Sequence, residues 1–192
     1  FNTTGGTLNG TGTFTTPSTS TTTFTGAGDL TTNIAWDNGG VFDFNSTSGN
    51  LVITGVNFTN SNTMNLNQTA NLADIVGTGT LVNIGALNAQ TATETTIGTL
   101  FNNGGTFTLT SGAVNLQGDT VNSGVINIGA GHTLALNNNI LMTLAAGSDF
   151  TGSLGNLEIQ NGETLDVTVA QALPVGMTLS LLSGGIINNV QN

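Results

Sequence analysis

The sequence predicts an all-β protein, a parallel β-helix (β-solenoid) of roughly 8–10 coils with about 19 residues per coil. Three observations support this fold class. An apolar–x–apolar triplet recurs along the chain, Asn-Gly, Gly-Gly and Ser-Gly pairs lie between the triplets, and signals for helix formation are nearly absent. Alternation at period two is typical of a strand with one apolar face, and the intervening pairs are typical of turns.

The triplets follow one another at intervals of 22, 18, 25, 19, 16 and 15 residues, which gives a mean of about 19. Because side chains alternate along a strand, the first and third residues of each triplet are expected to point inward and to form one continuous ladder. This inward set comprises Phe42, Phe44, Met64, Leu66, Val82, Ile84, Phe107, Leu109, Ile126, Ile128, Met142, Leu144, Leu157 and Ile159.

A second apolar stretch follows most triplets about eight residues later, and the phrase HTL at 132–134 returns as ETL at 163–165. One coil of this length cannot bury its inward residues alone, whereas stacked coils bury them against each other. The second stretches are Leu51–Ile53, Leu72, Val114, Leu134–Leu136 and Leu165–Val167.

An antiparallel β-sandwich is the alternative architecture for short strands at regular spacing. Nothing in a sandwich requires the same triplet to recur, because its neighbouring strands differ in role. In a β-helix, equivalent positions of successive coils lie about 4.8 Å apart and pair in parallel, so that like residues stack. Asn60, Asn103 and Asn122 each precede a triplet by four residues, and we expect them to form an Asn ladder. The repeat therefore favours the β-helix.

The whole chain, residues 1–192, is predicted to form this single domain, with a terminal coil at 173–192. The segment 15–40 is predicted to be irregular or less ordered, because its first part (TTPSTSTTTFT, 15–25) is of low complexity. Disorder of the whole chain is disfavoured, since hydrophobic residues make up 37% of it and recur periodically.

The composition excludes several functions. The chain has no Lys or Arg and ten Asp plus Glu, for a formal charge of −10. Nucleic-acid binding and attraction to anionic membranes both need cationic side chains, so neither partner is expected. No apolar run is long enough to span a membrane, and no membrane insertion is expected. A chain without Lys or Arg offers no site to trypsin-like proteases, which favours an extracellular or cell-surface location.

Several phrases of the chain resemble secreted bacterial β-helix repeat proteins, namely filamentous-haemagglutinin-like exoproteins and autotransporter passenger domains. The resemblance lies in FNTTGGTLNGTGTFTT (1–16), FNNGGTFTLTSGAVNL (101–116), VNSGVINIGAGHTLAL (121–136) and the closing LPVGMTLSLLSGGIINN (173–189). It implies a right-handed β-helix that bacteria export for surface adhesion, filament formation or display. It is a style of repeat and carries no catalytic signature.

No enzymatic activity, catalytic residue, cofactor-binding residue or metal-binding residue is predicted. Lyase chemistry on uronates needs a base or a cation, and without Lys or Arg only His132 remains, at an outward turn position. Glycoside hydrolysis needs two converging carboxyls. The candidate pairs are Asp37 with Asp43 and Glu158 with Glu163, all interpreted as solvated surface groups. A polysaccharide-binding or polysaccharide-cleaving β-helix, similar to tailspikes or lyases, remains the alternative function.

Calcium, ice and sugar binding are three further hypotheses, and the sequence supports none of them with a repeated motif. Calcium has weak candidate positions at Asp119 and Asp149, each close to a glycine, but no calcium-binding repeat is present. An ice-binding face would need a Thr row repeated from coil to coil, and the triplet centres form none. Trp36, the only Trp, is expected to serve the core or a cap rather than a sugar platform.

The expected function is that of an extracellular structural or adhesive β-helix module, which forms or belongs to a bacterial surface filament or adhesin. The segments 1–16 and 179–192 carry no charged side chain, and Lys, the usual protector of sheet edges, is absent. We therefore expect head-to-tail self-association through terminal coils, a contact that does not close and gives filaments. Surface glycans, host cells or neighbouring cells are the other expected partners.

Overall fold

A computed structural model of the chain describes residues 1–68 and 74–189, and all regular secondary structure in these ranges is β-strand. Most strands are short. The two longer ones, β13 and β15, continue around a corner of the coil and so contribute to two stacks. In chain order they are β1 (Asn2–Thr3), β2 (Gly6–Leu8), β3 (Thr13–Thr16), β4 (Thr21–Phe24), β5 (Leu30–Thr32), β6 (Ala35–Asn38), β7 (Val41–Phe44), β8 (Leu51–Ile53), β9 (Asn57–Asn60), β10 (Thr63–Leu66), β11 (Ile75–Val76), β12 (Thr80–Asn83), β13 (Ala86–Ile97), β14 (Leu100–Asn103), β15 (Thr106–Leu116), β16 (Thr120–Asn122), β17 (Val125–Ile128), β18 (Thr133–Leu136), β19 (Leu141–Leu144), β20 (Asn156–Ile159), β21 (Thr164–Val167), β22 (Thr178–Leu181) and β23 (Ile186–Asn188).

The strands form three parallel stacks, which we call faces 1, 2 and 3, and each coil visits them in that order. This arrangement is a β-solenoid of about eight coils, which confirms the predicted fold class. Face 1 contains β1, β4, β7, β10, the first parts of β13 and β15, and β17; face 2 contains β2, β5, β8, β11, the second parts of β13 and β15, β18, β20 and β22; face 3 contains β3, β6, β9, β12, β14, β16, β19, β21 and β23.

The coil is longer than the predicted 19 residues. Paired residues lie from 19 positions apart, as in Thr106 with Val125, to 24 positions apart, as in Gly6 with Leu30, and the typical spacing is about 22. The triplet series underestimates the period because it mixes faces. Its members at 42–44, 64–66, 107–109 and 126–128 belong to face 1, whereas 142–144 lies on face 3 and 157–159 lies on face 2.

One triplet was assigned the wrong register. On β12, Leu81 and Asn83 are buried, while Val82 is only partly buried and Ile84 is 58% exposed. A shift of one residue turns every side chain of a strand to the opposite face. The pattern was misleading because the inward position at 83 holds a polar residue. The other twelve residues of the predicted inward set are buried, although on three faces rather than in one ladder.

The segment 15–40 contains the end of β3, all of β4 and β5, and β6, where the sequence predicted less regular structure. Thr16 on β3 and Thr22 on β4 are buried, so threonines of the low-complexity stretch 15–25 take part in the core of the coil. The second apolar stretches lie buried as predicted at Leu51, Val114 and Leu134, whereas Leu72 lies outside the described residues.

A buried Asn ladder runs along the inner edge of face 3. Asn38 donates to Asn60 at 2.9 Å, Asn60 to Asn83 at 2.8 Å, Asn83 to Asn103 at 2.7 Å, and Asn103 to Asn122 at 2.7 Å. This confirms the ladder predicted from Asn60, Asn103 and Asn122, and adds two members. Each of the first four amide nitrogens also donates to a main-chain carbonyl at the next turn; the acceptors are Thr63, Ala86, Thr106 and Val125.

The corner from face 3 to face 1 is closed by glycines that stack from coil to coil. A Cβ added to Gly105 would clash with Gly85 O and lie 2.7 Å from Ile84 C, and Gly124 stands against Gly105 in the same way. Adjacent Gly104 has more room, since a Cβ added there would have Ser123 Oγ, at 3.7 Å, as its nearest neighbour. At Gly105 the main chains of neighbouring coils approach too closely for any side chain.

We expect Gly105→Ala to destabilise the protein by about 3 kcal/mol, because the methyl group would force two coils apart. Gly104→Ala, one residue earlier, is the matched control and should change stability by less than about 1 kcal/mol. Urea unfolding followed by circular dichroism measures both. Equal midpoints for the two variants would contradict the close approach at Gly105.

Candidate functional surfaces

The outward side chains of face 1 form rows of hydrogen-bonded amides. Asn65 Nδ2 donates to Asp43 Oδ1 at 2.8 Å, and Asn88 Nδ2 donates to Asn65 Oδ1 at 2.9 Å. Thr23 and Thr108 extend this row at its two ends. The row is polar and carries a single charge, and it does not contain the uninterrupted threonines that an ice-binding face would need.

Three aspartates each bond to the main chain of the next coil. In each case one oxygen accepts a main-chain N–H from the next coil, a charge-assisted bond that is stronger than a neutral one. These groups therefore have a structural task that the sequence pattern did not predict. The bonds are Asp29 with Asn50 N (2.8 Å), Asp74 with Thr96 N (2.7 Å) and Asp119 with Leu141 N (2.9 Å).

The carboxyl pairs considered for glycoside hydrolysis lie apart on the solenoid. Asp37 is on face 3, where its carboxylate accepts the Ser61 hydroxyl at 2.6 Å, whereas Asp43 is on face 1. Glu158 points outward from face 2, as predicted, and Glu163 lies at the corner before β21 on face 3. Neither pair faces a common cleft.

Glu163 is buried, and its interpretation as a solvated group was wrong. Its side chain is 1% exposed, and Oε1 accepts the N–H of Asn139 at 2.9 Å. Asn138 and Asn139 both have positive φ, and this turn directs the N–H toward the corner. Oε2 is buried without a hydrogen-bond partner among the described residues. The carboxyl thus closes a turn of the preceding coil.

His132 does not occupy a position equivalent to Glu163. It is partly exposed and precedes β18 on face 2, while Glu163 precedes β21 on face 3. The repeated phrases HTL and ETL therefore start strands on different faces. Each phrase begins a strand after a turn, which explains the likeness.

Asp149 lies in the loop between β19 and β20. The hydroxyl of Thr151 and then the N–H of Thr151, which donates at 2.7 Å, hold the pKa of Asp149 below its ordinary value of 3.8. The unfolded chain takes up this proton at a higher pH than the folded chain. The stabilisation is therefore complete above the ordinary pKa and is lost as the pH falls through the folded pKa.

Thr151→Ala should accordingly lower the unfolding temperature by a small amount that is constant between about pH 7 and pH 5 and shrinks below about pH 4. Thermal unfolding of both proteins across this range measures the difference. A difference that grows on acidification would contradict the assignment.

The last described coils differ from the others because face 1 has no strand after β17. Residues 145–155 and 168–177 pass this side without a strand, and only the pairing of Val125 with Asp149 continues the stack. A cavity of about 190 Å³ opens there, lined by Leu144, Phe150, Leu157, Leu165, Val167, Gln171, Leu173, Leu179 and Ile187. Among the described strands, β22 pairs only with β20 and β23 only with β21. Leu181 and Ile186 on these strands are about half exposed.

Trp36 lies in the core, as predicted, with 1% of its side chain exposed. Asp119 and Asp149, the two positions at which the sequence allows calcium, each use an oxygen for hydrogen bonds within the chain. In residues 1–68 and 74–189, no three His, Cys, Asp or Glu side chains come together as a metal site. The same residues include no helix long and apolar enough to cross a membrane.

Comparisons with protein-family models, with curated proteins and with solved structures give no match to this chain. The strand pairing establishes a β-solenoid, and this fold is compatible with a β-helix repeat protein.

Proposed function

We propose that this chain is an extracellular structural or adhesive β-solenoid module that forms or belongs to a bacterial surface filament or adhesin. The proposal rests on side-chain hydrogen bonds that join neighbouring coils. They occur in the buried Asn ladder and in the outer row from Asp43 to Asn88. Bonds of this kind stabilise a rod over its whole length, because each coil depends only on its neighbours.

The distribution of charge supports association along the axis of the rod. All ten acidic residues lie between Asp29 and Asp166, so that residues 1–28 and 167–192 carry no charged side chain. Stacking of coils at either region brings no carboxylates into close contact. Among the described strands β22 and β23 pair on one side only, and Leu181 is half exposed, so this coil can pair with a further coil.

We expect the purified chain to elongate by head-to-tail stacking as its concentration rises. Sedimentation velocity and electron microscopy of the full chain test this. Leu181→Lys should block stacking, since Leu181 continues the inward row of Ile159 on β22. Ser180→Lys, whose side chain points outward on the same strand, is the matched control and should still elongate. Particles that stay monomeric at every concentration would contradict the assembly.

The adhesive part of the proposal is tested by binding to a glycan array and to intact bacterial and host cells. The alternative, a polysaccharide-cleaving solenoid, is tested on the glycans that bind, by assays for new reducing ends and unsaturated uronates. Turnover that disappears on replacement of a single Asp or Glu would overturn the proposed role.

A further inference from the structure

Face 3 carries exposed aliphatic side chains in the middle of the solenoid. Ile84 is 58% exposed, Leu100 48%, Val121 43% and Leu141 40%. We call Leu100, Val121 and Leu141, which lie on three consecutive strands of face 3, the aliphatic patch. The other large hydrophobic side chains exposed in the described part of the chain are Phe1 and six residues between 154 and 186, so the patch is separate from the two end regions.

The register of face 3 places three of these side chains near one another. Leu100 and Leu141 flank Asp119 in one outward row, and Val121 lies in the adjoining row, two residues along its strand. Successive coils are about 4.8 Å apart, so the patch extends roughly 10 Å along the rod. Ile84 lies four residues along the strand from the row of Leu100 and is not part of the patch.

The patch does not belong to the coil-to-coil contacts of the solenoid. Its side chains point away from Phe101, Thr120 and Met142, which are buried on the same strands. Both edges of β14 and β16 are paired, so no free main-chain edge is available for strand addition. A partner would have to lie flat on the side chains. The corresponding outward row of face 1 is polar throughout, from Asp43 to Thr108.

Charge identifies the kind of partner. Asp119 is exposed and lies between Leu100 and Leu141 in the same outward row, and its Oδ1 accepts the N–H of Leu141. A second copy of the chain has no Lys or Arg to place beside this carboxylate and adds a charge of −10 of its own. Self-association through the patch is therefore disfavoured, and a partner with cationic side chains is favoured.

We infer that the aliphatic patch with Asp119 is a docking surface for a partner protein whose contact face combines aliphatic side chains with Lys or Arg. Burial of the three aliphatic side chains supplies affinity, and the carboxylate sets the sign of the partner's charge. The inference rests on the adhesive role proposed above and adds a partner class to it. It uses the side of the rod, whereas assembly uses the ends.

The probe is a short amphipathic helical peptide of Leu and Lys, titrated against the full chain by isothermal calorimetry. Leu100→Thr combined with Leu141→Thr should weaken binding by about tenfold or more. Thr is a strand-forming residue, so the fold should persist. The matched control is Val41→Thr combined with Val125→Thr, which makes a similar change on face 1. This control should change affinity less than about twofold.

Two further measurements complete the test. Asp119→Asn keeps an oxygen for Leu141 N but removes the charge, and it should weaken the salt dependence of binding. A peptide of Leu and Glu should not bind. The inference is overturned if the patch and control variants bind the Leu–Lys peptide equally, since binding would then reflect net charge alone. Rod formation and glycan binding would remain unaffected by that result, so the two proposals fail separately.

Discussion

Replacement of Asn103 by alanine is expected to destabilise the protein by roughly 3 kcal/mol. Asn103 is 1% exposed and takes part in three hydrogen bonds. It accepts from Asn83 Nδ2 at 2.7 Å and donates to Asn122 Oδ1 at 2.7 Å and to Val125 O at 3.2 Å. Alanine would leave these three partners buried and short of a bond, and an unsatisfied buried group costs more than the bond itself contributes.

Asn102→Ala is the matched control for this prediction. Asn102 is the preceding residue on β14, is the same amino acid, and points outward into solvent. Its replacement should change the free energy of unfolding by less than about 0.5 kcal/mol. Denaturant unfolding and amide hydrogen exchange give the comparison, the second because coils of a solenoid can open locally. A ladder that contributed only side-chain packing would give similar values for both variants.

The Asn ladder shows how far a sequence repeat can be interpreted. Asn60, Asn103 and Asn122 were found because each lies four residues before an apolar triplet. The sequence does not predict Asn83 as a member, because it places this residue at the outward centre of a triplet whose register is one residue off. Polar residues inside a strand break the alternation on which the prediction depends. Only the pairing of Asn83 with both Asn60 and Asn103 shows that it points inward.

The aliphatic patch could be predicted only in part. The inward position predicted for Met142 turns Leu141 outward, because side chains alternate along a strand. Leu100 and Phe101 are adjacent apolar residues, and the sequence does not reveal which of them points outward. The same register error places Ile84 in the core, whereas it is 58% exposed. The parallel stack and the fold class could be predicted, since like residues recur. Which of three faces each strand joins depends on turn lengths, which vary from coil to coil.

Glu163 illustrates a second limit of prediction from the sequence, the burial of a charged side chain. Its acidic side chain at a turn was interpreted as solvated, in line with the general rarity of buried carboxylates. The burial arises from two consecutive residues with positive φ in the preceding coil, which present the N–H of Asn139 to the carboxylate. Such a contact joins residues 24 positions apart and has no local signature.

Replacement of Trp36 by alanine is expected to have the largest effect, a loss of about 4 kcal/mol. Trp36 joins the aromatic residues of the first three coils. Its ring centre lies 4.9 Å from that of Phe58, 5.1 Å from Phe14 and 5.4 Å from Phe42. Alanine would leave a cavity that the flanking coils cannot close, because their main chains are held at the strand spacing by parallel pairing on both sides.

Trp36→Phe is the control that separates packing from the indole N–H. Nε1 is buried without a hydrogen-bond partner among the described residues, so its removal relieves an unsatisfied donor and offsets part of the lost volume. This variant should lose less than about 2 kcal/mol. In hydrogen exchange, Trp36→Ala should lower the protection of amides in the coils around β3, β6 and β9. Amides of β15 to β18 should stay protected as before, because each coil of a solenoid contacts only its neighbouring coils. Uniform loss of protection along the rod would mean that the chain unfolds as one unit and that the aromatic cluster stabilises all of it.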